Sequence, residues 1–144
     1  MVIRVLSFQI PQFWEAIKFV VDRSSGFGEY DRRSYFTQLL CDLLSNKSQC
    51  FIAVDENYEM YALAITEIKI NEFSEKKYLV VKNLYSWKFT KEDVWHRHWR
   101  TVEKFAKNQG CEYIYFESGN KRIWELSEKF GAKESFRVYR YDVN

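Results

Sequence analysis

The residues able to do chemistry in this chain are few and scattered. The two histidines, His96 and His98, stand two apart in a stretch of helical periodicity. That spacing turns their side chains about 200° from each other, so they cannot share a metal as an i, i+4 pair could. His98 falls near the apolar side and reads as an edge residue with its own partner. Cys41, Cys50 and Cys111 are odd in number and lack metal-type spacing, which suits free, mostly buried thiols in a reducing compartment. Nucleophile–base arrangements and glycine-rich phosphate loops of the Walker or dinucleotide type are absent. Glu67 and Glu117 stand at strand ends, where a carboxylate is either a general base or simply solvated.

One charged pattern is periodic. Arg97, Arg100, Lys104 and Lys107 recur at three- and four-residue steps, a basic stripe on the exposed face of a Trp-containing helix. Such a stripe meets an acidic protein or nucleic acid, or remains a solvated face, and Glu103 dilutes it. Net charge is only +2, so composition alone does not imply a nucleic-acid partner. Aromatic residues reach 19%, more rings than a core of this size needs, which leaves some to line a pocket or a protein interface.

These residues must be positioned by the following elements. Met1 to Leu6 is too short an apolar run for a signal peptide or membrane span and reads as a strand. The expectation is a cytoplasmic protein, or one made in a cytoplasm and packaged elsewhere. Pro11 opens a helix with Phe13, Ile17, Val20 and Val21 in period. Ser24-Ser25-Gly26-Phe27-Gly28 breaks it. Asp31 can cap a second helix with Tyr35, Leu39, Leu40 and Leu43 on its apolar face. Strands follow at Cys50 to Val54, Tyr58 to Ile70 and Lys77 to about Trp87.

Thr90 or Asp93 can cap a third helix, which runs to about Asn108 and stops at Gly110. Its apolar face holds Val94, Trp95, Trp99, Val102, Phe105 and Ala106. Glu112 to Glu117 is a strand, Asn120 caps a last helix ending at Gly131, and Phe136 to Val143 reads as a final strand. The order is β-α-α-β-β-β-α-β-α-β over a single domain, residues 1–144. A strand–helix–strand crossover makes part of the sheet parallel and the hairpins make the rest antiparallel. The fold class is α+β, a mixed sheet with helices on both faces.

The run Asn120-Lys121-Arg122-Ile123-Trp124-Glu125-Leu126-Ser127-Glu128-Lys129-Phe130-Gly131-Ala132, then Val138-Tyr139-Arg140, resembles the ending of the GNAT N-acetyltransferase superfamily. That ending is an Asn before the last helix, a Leu-Tyr-Glu-Lys run, a Gly-Phe pair and a strand closing on Tyr-Arg. The topology resembles the family from about Cys50 to Val143. Trp87-Lys88-Phe89-Thr90, the basic-aromatic helix and the Gly119-Asn120…Phe130-Gly131-Ala132 ending also look like a small internal virion protein of short-tailed phages.

The family resemblance implies an acetyl-CoA site whose pyrophosphate lies on backbone N–H groups at a helix start, in a loop reading Gln/Arg-x-x-Gly-x-Gly/Ala. The matching positions are Thr90-Lys91-Glu92-Asp93-Val94-Trp95, with Asp93 and Trp95 in the glycine places. Glu92 and Asp93 stabilise the helix start but repel phosphate, by about 1 kcal/mol per contact in water and roughly 4 at a partly buried site. The family's acid, a Tyr on the last helix, is replaced by Ser127, and Tyr139 or Tyr141 substitutes only if turned inward. Under the resemblance Glu117 is the candidate base and Asn120 the contact for the pantetheine arm, although Asn120 equally suits a plain N-cap. The acceptor amine would enter beside Ser24 to Tyr30. Two readings follow: a GNAT-fold protein without ordinary acetyl transfer that serves as a binding or structural protein, with a protein partner and no cofactor and in a virion if phage-encoded, or an acyl-CoA-dependent N-acetyltransferase with an atypical cofactor loop.

Overall fold

Apolar spacing forms helices and strands close to where it predicts them. The computed structural model describes residues 1–24 and 29–143. Its elements are β1 (Val2–Val5), α1 (Ile10–Ser24), α2 (Glu29–Leu44), β2 (Ser48–Val54), β3 (Met60–Ile70), β4 (Lys77–Ser86), α3 (Glu92–Asn108), β5 (Tyr113–Phe116) and α4 (Lys121–Lys129). Of the breaking segment Ser24 to Gly28, all but Ser24 lies outside the described residues. Asp31 lies within α2 rather than at its cap, and α2 buries Phe36 together with the expected Leu39 and Leu43.

The strands form one sheet in the order β1-β2-β3-β4-β5, antiparallel throughout except for the parallel pair β4/β5. α3 is the crossover that a parallel pair requires. α1 and α2 cover one face, where Ile17, Val20, Leu39 and Leu43 pack with Cys50, Ile52, Leu63 and Ile65. On the other face Val102 and Ala106 of α3 meet Phe51 and Leu79. Each fully buried aliphatic side chain contributes about 1.5–3 kcal/mol, so the α1/α2 face carries most of the stability. Two bulges bend the sheet: Ala53↔Ala62 is followed by Val54↔Met60, leaving Tyr61 extra, and Ile65↔Asn83 by Thr66↔Val81, leaving Lys82 extra.

The sequence expectations need three further corrections. Neither Thr90 nor Asp93 caps α3; Lys91 holds that place without a side-chain cap bond. Cys41 is exposed, so only Cys50 is a fully buried thiol. The expected last strand, Phe136 to Val143, is not formed, and the observed order ends at α4. Alternation makes a segment able to pair but does not supply an edge for it. The mixed α+β architecture with helices on both faces stands.

Candidate functional site

In a parallel pair both following helices start at the same end of the sheet, and ligands favour the crevice there. β4 and β5 pair from Tyr78↔Tyr113 to Val81↔Phe116 and then part, while β4 continues to Ser86 against β3 alone. The opening between them is the structural candidate for a site, with the starts of α3 and α4 beside it.

Just past the last β4/β5 pair, β4 carries the Lys82 bulge. Lys82 Nζ lies 3.4 Å from Glu67 and 5.3 Å above the Tyr35 ring, and Lys47 reaches Glu67 at 3.7 Å. Burial alone would lower the Lys82 pKa, but hydrogen bonds and charge from Tyr35 and Glu67 raise it above the ordinary lysine value. Lys82 is thus a charged structural partner rather than a neutral amine, and Glu67 is committed to two cations. Next along the strand, buried Asn83 donates to Ser24 Oγ at 2.6 Å, while its Oδ1 has no partner among the described residues.

α4 is tied to the start of α3 and the segment before it. Lys129 Nζ meets both Glu92 oxygens at 3.0 Å, and Arg122 Nη2 donates to the Thr90 carbonyl at 2.9 Å. Arg122 also lies over the Phe89 ring, and Phe130 stacks on His96 at 4.7 Å. The cleft left between these helices, lined by Glu92, Arg122, Glu125, Leu126 and Lys129, measures about 210 Å³. Small-molecule sites usually enclose roughly 300–1,000 Å³. The donor set does not fit a pyrophosphate: the first turn of α3 carries Glu92 and Asp93, and both nearby cations are engaged.

The sequence-predicted residues are dispersed. Asp93 is exposed and pairs with Arg97 at 3.9 Å; Val94 and Trp95 lie in the first turns of α3. Trp95 turns its ring toward His98, so Glu92 and His96, not Trp95, face α4. Asn120 caps α4, accepting from the Arg122 N–H at 2.9 Å. Glu117 is exposed beyond β5, and Tyr139 is 82% exposed in the C-terminal segment, with no contact joining the two. Ser127 spends its hydroxyl on the Ile123 carbonyl. The basic stripe is exposed along α3, with Arg100 paired to Glu103 at 3.4 Å.

His98 has the partner expected of it: its Nε2 hydrogen-bonds Tyr61 Oη. Burial, with the N-terminal ammonium and Arg97 nearby, lowers its pKa to about 4, so it is neutral at physiological pH. Sequence reasoning missed Lys82, Asn83, Arg122 and Lys129. A signal existed for the first two, because they interrupt the apolar run of β4. No local pattern announces a pair separated by 37 positions, as Glu92 and Lys129 are.

No protein-family model and no curated protein sequence matches the chain. Solved structures match it along its whole length. An aminoglycoside acetyltransferase from an uncultured soil metagenomic sample superposes with TM-score 0.72 at 16% identity, over 100% of this chain and 96% of that one. The 6'-N-acetyltransferase AAC(6')-Ih from Acinetobacter baumannii gives 0.71 at 12%, over 100% and 97%. The aminoglycoside N-acetyltransferase AAC(6')-Iy, solved in complex with CoA, gives 0.67 at 13%, over 100% and 99%. At such identities the likeness establishes the fold.

Proposed function

Taking the GNAT fold as premise, we propose that this chain works by binding a protein partner and not by ordinary acetyl transfer. The observation that carries this reading is the α4 clamp. The helix start that would receive phosphate carries Glu92 and Asp93 instead, and Lys129 and Arg122 tie α4 across it. Anions are favoured at a helix start, but here side-chain carboxylates already occupy that position. Ser127, engaged with the helix backbone, supplies no acid. The partner surface is the α3 stripe of Arg97, Arg100, Lys104 and Lys107, which suits an acidic protein; nucleic acid is an outcome the test separates.

Calorimetry with acetyl-CoA tests the first half, and the expected result is no heat of binding at millimolar cofactor. Micromolar binding abolished by Asn120→Asp would sink the reading. For the second half, Arg97→Glu/Arg100→Glu weakens partner binding in a strongly salt-dependent manner. Unchanged binding in that double variant ends the stripe's role.

A second reading is an N-acetyltransferase with an atypical loop. It is favoured by the unpartnered buried Oδ1 of Asn83 beside the β4 bulge, and by the fold shared with acetyltransferases. It requires α4 to leave Glu92, since the residues as arranged do not fit the cofactor.

A further inference from the structure

The surplus of rings leaves one convex and one concave feature unused. Phe73, in the turn between β3 and β4, is 97% exposed, more than any other large apolar side chain among the described residues. An isolated exposed ring needs no explanation by itself, but this one is held in place. The Asn71 N–H donates to the Lys76 carbonyl at 2.8 Å, and the Asn71 carbonyl accepts from the Glu75 N–H at 2.9 Å. Asn71 Oδ1 accepts from the N–H groups of Phe73 and Ser74 at 2.9 and 3.1 Å. Its Nδ2 donates to Tyr113 Oη at 3.3 Å, which fastens the turn to β5. The ring thus stands on a fixed frame, and a preorganised group loses little entropy on making a contact.

The concave feature is a groove of about 490 Å³ between α1 and α2. Trp14, Phe36 and Leu40 supply its apolar surface, the first two meeting edge to face at 5.8 Å. Three cations also line it. Arg32 is committed to Asp22 through two hydrogen bonds and lies over the Phe36 ring. Lys18 meets only the exposed Glu15 of its own helix at 2.8 Å, a pair readily exchanged. Arg33 is exposed and forms no ion pair with any described residue.

We infer that Phe73 of one copy of this chain seats in the α1/α2 groove of another. Charge selects that occupant. Glu72 and Glu75 flank Phe73, both exposed and neither ion-paired with a described residue, and they match Lys18 and Arg33 across the groove. The cation within the turn, Lys76, is already neutralised by Glu112 at 3.0 Å, while Lys69 and Lys77 belong to the strands behind it. A ring entering beside Trp14 and Phe36 adds a third aromatic to an existing edge-to-face pair. Knob and groove are different patches, so the contact runs head to tail, and each joined pair still offers one free knob and one free groove. One ring and two charge pairs bury little surface, which makes the association weak and reversible.

Two full-length variants separate the halves, and neither replaces a core residue. Phe73→Ser loses the knob and keeps the groove; Lys18→Glu/Arg33→Glu keeps the knob and reverses the groove's charge. Isotope-labelled Phe73→Ser chain is titrated with the unlabelled second variant to near-millimolar concentration and followed by NMR. The expected result is a saturable one-to-one complex that shifts the Trp14 indole and the amides of residues 33–40. Unlabelled Phe73→Ser as titrant binds about tenfold more weakly or not at all. Placing Glu72→Lys/Glu75→Lys in the titrant's turn weakens binding to the labelled chain, and adding Lys18→Glu/Arg33→Glu to the labelled chain restores it. An absence of shifts, shifts confined to other surfaces, or equal binding by the knobless titrant overturns the inference, and so does a charge swap that restores nothing.

Discussion

Lys129 Nζ lies 3.0 Å from both carboxylate oxygens of Glu92, which ties the last turn of α4 to the first turn of α3. Both side chains are more than half exposed, so the pair contributes about 0.2–1 kcal/mol. Lys129→Met is expected to lower global stability by no more than that at low salt, and by nothing measurable at high salt. The larger effect is local: amides 121–129 exchange faster while those of β3 do not. Urea titration at two ionic strengths with amide exchange checks both halves.

Removing the carboxylates tests whether charge alone excludes the cofactor. Each is set against phosphate by about 1 kcal/mol in water, roughly a fivefold change in affinity. Glu92→Gln/Asp93→Asn is therefore expected to bring acetyl-CoA binding into calorimetric range. Because Glu92→Gln also frees Lys129, Lys129→Met alone is the control: binding there, with both carboxylates kept, would make the α4 tie and not charge the barrier.

The Tyr61–His98 pair makes stability depend on acid. The His98 pKa is depressed to about 4 from an ordinary 6.5, chiefly by burial. The unfolded chain therefore binds the proton more readily than the folded one between those values. His98's contribution is fully present above about pH 6.5 and is lost as pH falls toward about 4. The urea midpoint should decline over that window in the native chain and decline less in His98→Gln.

Asn120 separates a cap from a cofactor contact. As the α4 cap its loss in Asn120→Ala costs about 0.5–2 kcal/mol, while Asn120→Asp keeps the cap and the stability. Thermal melts of both variants decide it. Equal destabilisation by Ala and Asp would remove the capping role.

Thr66 is fully buried and donates to buried Gln49 at 2.8 Å. Thr66→Val preserves shape but orphans the Gln49 oxygen, an expected cost of about 1–3 kcal/mol. A loss well below that range in equilibrium denaturation would show that water replaces the hydroxyl.

What the sequence made legible was local. Ile17, Val20 and Val21 announced a buried face by spacing, Asn120 a helix start and Gly131 a helix end, and the structure places all of them so. The limits were relational. Tyr139, Tyr141 and Val143 alternate as a strand does, yet pairing depends on an edge that no residue of the segment encodes. Trp95 read as standing in a glycine place of the phosphate loop, but helical rotation aims it at His98 and leaves Glu92 toward α4. Dihedral preference and apolar period are properties of short windows, whereas the candidate site is assembled from side chains dozens of positions apart.

The extra residue at Lys82 has a consequence for how β4 can change. Before it, Leu79 faces α3; after it, Asn83 and Tyr85, also at odd positions, face α1. One inserted residue inverts the phase of the strand. Deleting Lys82 would let Val81↔Thr66 run directly into Asn83↔Ile65 and keep Asn83, Tyr85 and Trp87 on the α1 face, whereas adding one residue beside Val81 or Asn83 would need a second bulge or swing all three across. Over this stretch the molecule can lose a letter more easily than it can gain one.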